Sequence, residues 1–130
     1  MQLPTLCNYI SDSDKLIASF KLDPDLIWFK GHFEDYPIFP AVAQLYMVKE
    51  FAVEYGKNLG LEIPLLEPNA KSTYNCKSPC FTIQRMKFVR PMRPEELIVL
   101  TINIDVPKRL VKFNFSDSNG KEYSSGKLKI

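Results

Sequence analysis

The longest apolar segment of the chain, AVAQLYMVKEFAVEY from Ala41 to Tyr55, constrains the fold more than any other feature. Gln44, Lys49, Glu50 and Glu54 interrupt it, but they leave almost every side apolar. A surface helix carries one apolar stripe, whereas a helix apolar nearly all round has to be enclosed by other elements. Pro40 stands near its start, where a missing N–H costs nothing, and Gly56 fits a C-terminal cap. At 130 residues, 45% of them hydrophobic, the chain is long enough for one domain with a core, and this helix is the natural centre of that core.

Strands supply the enclosure. Between Lys15 and Leu22, the residues Leu16, Ala18, Phe20 and Leu22 share one face, and Asp23-Pro24-Asp25 ends the run. Leu26 to Phe29 is short and apolar and leads into a loop at Gly31-His32. Asn58 to Pro79 is polar, proline-rich and aperiodic, which predicts a loop with a short strand near Ser72 to Tyr74. Phe81 to Val89 mixes apolar and basic residues. Leu97 to Asp105 sets Ile98, Leu100, Ile102 and Ile104 on one face, and Arg109 to Phe115 does the same with Val111, Phe113 and Phe115. Asp117-Ser118-Asn119-Gly120 holds the Asn-Gly pair favoured in tight hairpins, and Glu122 to Ile130 is a last strand. One strand, a buried helix and then a run of strands predict an α+β fold, an antiparallel sheet curled around a single long helix.

Several function classes fall away. A net charge of +2 is too small to imply nucleic acid. The N-terminal MQLPTLCNYISDSDK lacks the basic start and apolar run of a signal peptide, and no run approaches the roughly 20 apolar residues of a membrane span. The expectation is a soluble, cytoplasmic protein without a cofactor. Cys76 and Cys80 lie four apart and Cys7 is remote; with one histidine elsewhere they read as unpaired thiols rather than a metal site. The basic residues are uneven: Arg85, Lys87, Arg90 and Arg93 fall within nine positions.

The stretch from Trp28 to Tyr55 also holds the chain's one histidine, His32, between Gly31 and Phe33 and ahead of the stiff Pro37 and Pro40. Phe29-x-Gly31-His32-Phe33-x-x-x-Pro37-Ile38-x-Pro40-x-Val42 resembles the signature loop of the hotdog-fold 3-hydroxyacyl-ACP dehydratases, F-x-G-H-F-P-x-x-P-V-x-P-G-V. Met86 to Leu97, MKFVRPMRPEEL, resembles their second landmark, K-F-x-x-P-V-x-P-G-D-x-L. Order and spacing agree, so the resemblance spans nearly the whole chain as one domain, 1–130. Gln44-Leu45 is closer to the dehydratase-like proteins of aryl-polyene pathways than to the housekeeping enzymes.

The resemblance implies dehydration of a 3-hydroxyacyl thioester, carried on acyl carrier protein by its phosphopantetheine arm, to the trans-2-enoyl form in fatty-acid or polyene synthesis. It makes His32 the base that takes the C2 proton, with the Ile38 carbonyl orienting the imidazole. It places at Ala41 the backbone N–H that faces the thioester oxygen, where the helix dipole helps. It implies a homodimer or larger even assembly whose site is built from both chains, and an unpaired sheet edge would need such a partner. Phe33, Phe39 and Trp28 become candidates for an acyl channel, with ordinary core as the plain alternative. Arg85, Lys87, Arg90 and Arg93 become candidates for meeting the acidic carrier protein, with a solvated strand face as the alternative.

Three positions depart from the family pattern. Glu34 replaces a proline and Ala41 a glycine, and Tyr46 stands fourteen positions after the histidine, where the family has its catalytic carboxylate. Alanine keeps the N–H that polarisation needs. Tyr46 is either a hydroxyl donor or core packing. Glu50, one helical turn later on the same face, is a second candidate for the missing carboxylate, while Glu34 and Asp35 read as solvated loop residues. Two alternatives to an active dehydratase follow: a non-catalytic hotdog subunit paired with an active partner, and an acyl thioesterase of the same fold.

Overall fold

The computed structural model describes residues 4–11, 15–26, 29, 38–60 and 81–130. Alternation sets its sheet. The strands β2 (Leu16–Lys21), β4 (Leu97–Asp105) and β5 (Leu110–Ser116) bury Leu16, Ala18, Phe20, Ile98, Leu100, Ile102, Val111, Phe113 and Phe115 and turn the residues between them outward. With β1 (Thr5–Ser11), β3 (Thr82–Phe88) and β6 (Glu122–Lys129) they form a six-stranded sheet in the order β1-β2-β4-β5-β6-β3, antiparallel throughout. The register aligns Ala18 with Leu100, Leu100 with Phe115 and Phe115 with Ser124, so one inward row crosses four strands. Fully burying an apolar side chain of this size stabilises a fold by about 1.5–3 kcal/mol.

The helix α1 (Ala41–Asn58) packs over β4 on the inner face. One long helix against an antiparallel sheet is the expected α+β hotdog arrangement. The edge of the Phe20 ring meets Phe51 of the helix, with centroids 5.2 Å apart at 70°.

Three features differ from what the sequence predicts. Gly56 is not the helix cap: it is buried within α1, and the helix runs on to Asn58. The Leu59 N–H bonds to the Gly56 carbonyl at 3.0 Å, and Gly60, at φ +76°, takes the left-handed turn. The helix is also not enclosed all round. Ala43, Gln44, Met47, Val48, Ala52, Tyr55 and Gly56 are buried, while Val42 remains 61% exposed. Finally, the β5–β6 hairpin is not a two-residue Asn-Gly turn. Gly120 alone is left-handed, at φ +83°, and the Asp117 N–H reaches the Lys121 carbonyl at 2.9 Å across a longer loop.

β1 was not legible in the sequence, because all seven of its residues are exposed. The Gly31-His32 loop, the Ser72–Tyr74 strand, Cys76 and Cys80 lie outside the described residues. Cys7 is a free, exposed thiol. Among the described residues, no helix is long and apolar enough to cross a membrane.

The connection between β3 and β4 fixes the entry to the helix. The Phe39 N–H donates to the Met92 carbonyl at 2.8 Å, and Leu22 exchanges backbone bonds with Glu95 and Glu96 at 2.6 and 3.0 Å. The end of β2 and the start of α1 are therefore tied to one short segment.

Candidate active site at the start of the helix

α1 begins without a capping side chain. Its N-cap is Pro40, extended at φ −74° and ψ 160°, which has no oxygen beyond its carbonyl to offer. That carbonyl accepts from the Ala43 and Gln44 N–H groups, each at 3.1 Å. The N–H groups of Ala41 and Val42 have no carbonyl within the helix to bond, as at any helix start, and both residues are exposed. Among the described residues, the terminus therefore presents free donors and the positive end of the helix dipole.

The residue before the cap is held from three sides. Phe39 is 2% exposed, its ring lies 6.1 Å from that of Phe29, and its N–H is bonded to Met92. Its carbonyl accepts from Gln44 Nε2 at 3.2 Å, and Gln44 Oε1 accepts from Ser124 Oγ of β6 at 2.7 Å. Gln44 is 4% and Ser124 0% exposed. Ile38, just before, is half-buried.

Two residues past Gln44 the helix has turned roughly 200°, so Tyr46 points away from the sheet. Tyr46 and Glu50 are half-buried one turn apart. Partial burial raises the Tyr46 hydroxyl above its ordinary pKa, and the charge of Glu50 and a hydrogen bond to its carboxylate add to the rise. Tyr46 is thus protonated at neutral pH. His32 and Phe33 lie outside the described residues, as do Trp28, Glu34 and Asp35.

The four basic candidates separate. Arg90 is an internal clamp. Its guanidinium lies 3.8 Å from the Tyr123 ring centroid and reaches Asp117 Oδ2 at 2.6 Å, the Lys121 carbonyl at 3.0 Å and the Glu122 carbonyl at 3.2 Å. Arg93 is half-buried, and its backbone N–H donates to Glu96 Oε1 at 2.6 Å. Glu96 also accepts from the Tyr123 hydroxyl. Arg85 and Lys87 stay exposed on the outer face of the sheet, Lys87 with a loose ion pair to Glu122 at 3.8 Å.

The register brings two unforeseen lysines beside them. Lys112 pairs with Lys127 and Lys127 with Arg85, which makes a row of three cations across β5, β6 and β3. Lys87, two residues beyond Arg85, completes the rim of an open depression of about 270 Å³. Like charges directly opposite one another destabilise a sheet unless something anionic lies against them.

Residues 9–127 match the ApeI dehydratase family. Among solved structures, the dehydratase heterocomplex ApeI:P from Xenorhabdus doucetiae is similar at 26% identity and TM-score 0.77, covering 98% of this chain and 97% of that one. An uncharacterized protein from Erwinia carotovora subsp. atroseptica is similar at 25% identity and TM-score 0.73, covering 98% and 95%. The E. coli PaaI protein of the phenylacetic acid degradation operon shares the fold alone, at 12% identity and TM-score 0.63 over 95% and 82%. No curated protein matches in sequence.

Proposed function

The chain belongs to the ApeI-like dehydratase family, and from that membership we propose that it removes water from a 3-hydroxyacyl thioester carried on acyl carrier protein. The uncapped start of α1 is the observation that supports this most. It leaves the Ala41 N–H free to bond the thioester oxygen as negative charge develops there.

In this reading His32 takes the C2 proton, and the C3–O bond breaks as the double bond forms. Tyr46 passes its proton to the departing oxygen, which leaves as water, and the imidazolium proton then restores the tyrosine. The raised pKa of Tyr46 keeps it protonated until that moment. Glu50 accepts the Tyr46 hydroxyl in the resting site, and the O–H turns from it to the departing oxygen for the transfer. Ile38 orients the imidazole through its carbonyl, and Phe33 and Phe39 flank the acyl chain. Pathway assignment follows the family resemblance: fatty-acid or polyene synthesis in the cytoplasm.

Arg85 and Lys87, with Lys112 and Lys127, face the acidic carrier protein; the internal bonds of the Arg90 guanidinium and the partial burial of Arg93 set those two apart. Tyr46, Glu50 and the exposed Val42 lie on the side of α1 away from the sheet, which suits a site closed by a second hotdog chain. That chain is a second copy of this one, so light scattering at micromolar concentration should give a dimer or larger even assembly. A monomer would remove the two-chain site.

A second reading has a specific observation behind it. Tyr46 stands where the family has its carboxylate, and the similar ApeI:P is a heterocomplex. A non-catalytic subunit beside an active partner fits both. Purified protein and its His32→Ala variant, assayed on 3-hydroxyacyl-ACP for enoyl product, decide between them. Turnover that falls by about two to four orders of magnitude in the variant supports the enzyme. No turnover by the parent on any chain length supports the subunit.

A further inference from the structure

The start of α1 is aimed from inside the protein. A helix whose N-cap is proline has no side chain to fix its first turn from outside, and Pro40 makes no side-chain cap. Gln44 does this from one turn within. It reaches back to the Phe39 carbonyl at 3.2 Å while its other end is fixed by Ser124 at 2.7 Å. Both side chains are buried, at 4% and 0% exposure, so solvent does not compete for these bonds. Ser124 sits on the inward row of β6, opposite Phe115, in a strand paired on both sides by β5 and β3. The Phe39–Pro40–Ala41 peptides that end in the free Ala41 N–H are thereby held between Met92 of the β3–β4 connection and Ser124 of β6.

We infer that Gln44 is a positioning residue for the reaction: braced by Ser124 across 80 residues of sequence, it holds the Phe39 carbonyl and so sets the direction of the N–H groups that polarise the substrate carbonyl. The inference rests on the dehydratase reading above. Gln44 touches neither substrate nor reacting atoms. An amide is suited to this place because it must donate at one end and accept at the other. A carboxylate would face the Phe39 carbonyl with like charge, and a methionine would leave both partners unbonded. A displacement of a catalytic donor by about 1 Å costs up to a hundredfold in rate.

Gln44→Met and the milder Ser124→Ala test this in the intact assembly. The expected result is a fall in kcat of about tenfold to a hundredfold for Gln44→Met and a smaller fall for Ser124→Ala, with KM unchanged in both, because binding of the acyl chain and carrier is untouched. The second readout is the infrared carbonyl stretch of a bound, ¹³C-carbonyl trans-2-enoyl pantetheine thioester. It should shift down in frequency in the parent and shift less in each variant. A packing role alone would lower the melting temperature and leave that shift intact. If Gln44→Met does not fold, Ser124→Ala carries the test, since it removes one hydroxyl and no volume that the core needs. Unchanged kcat and unchanged carbonyl shift in a folded variant overturn the inference while leaving the dehydratase reading standing. A parent that neither turns over nor binds a thioester overturns both.

Discussion

Glu50 stands one helical turn beyond Tyr46 on α1, and its charge adds to partial burial in raising the Tyr46 hydroxyl above its ordinary pKa. The two candidates that stood as alternatives in the sequence are therefore coupled. Tyr46→Phe and Glu50→Gln should each lower kcat/KM, by about ten- to a hundredfold. The double variant should be no worse than the weaker single, because both changes break the same pair. Steady-state kinetics on the four proteins checks this, and additive losses would mean the residues act separately. Tyr46→Glu restores the family's carboxylate and should raise activity only if the parent is a lapsed enzyme.

Alkaline stability should depend on Tyr123. Burial, then its hydrogen bond to Glu96 and the charge of Glu96, push its hydroxyl up to about 12. The folded state thus holds this proton more tightly than the unfolded chain, whose tyrosines titrate near pH 10. The resulting stabilisation is complete below about pH 10 and is lost as pH rises through about 12. Urea midpoints measured across that window should fall in the parent and fall less in Tyr123→Phe. At neutral pH the same substitution should cost about 1.5–3 kcal/mol, the worth of a hydrogen bond to a charged group.

The arginines and lysines should part company by experiment. Arg90→Lys loses the fork that spans Asp117 and two carbonyls and should destabilise the fold by about 2–3 kcal/mol. It should leave the KM for the carrier-protein substrate unchanged. Lys112→Glu with Lys127→Glu should do the reverse. KM for that substrate rises about tenfold and more steeply at low salt, while a small pantetheine thioester is turned over as before. Equal effects on both substrates would remove the outer face as a docking surface.

How much of this was legible divides by distance along the chain. Leu16 to Leu22, Leu97 to Asp105 and the residues around Val111 to Phe115 declared their strands, because each is half-buried and alternation is a local signal. Thr5–Ser11 buries nothing and had no such signal to give. Gly56 looked like a terminator because glycine usually is one; here it is buried inside the helix, and the turn falls to Gly60. Arg90 looked available because its partners lie 27 to 32 residues away, and Gln44 was only a family landmark because Ser124 lies 80 away. Lys112, Lys127 and Arg85 became neighbours only through the antiparallel register.

Gly126 should tolerate no side chain. A Cβ there would stand 2.5 Å from the Arg85 carbonyl oxygen and 2.8 Å from the Phe113 ring. Backbone on one side and a buried ring on the other leave little to yield. Gly126→Ala should cost about 1–3 kcal/mol, the usual result of overpacking, and loosen the β3 edge first. Amide hydrogen exchange should show β3 losing protection ahead of β4.

The bond from the Phe39 N–H to the Met92 carbonyl joins the end of one sequence landmark to the middle of the other. The two landmarks, half a chain apart in sequence, are a single mechanical part. Anyone grafting the histidine loop of a relative onto this scaffold is replacing one half of a hinge. Such a chimera should work only when the β3–β4 connection is transplanted with it, and chimeras carrying either half alone should fold with the helix entrance misaligned.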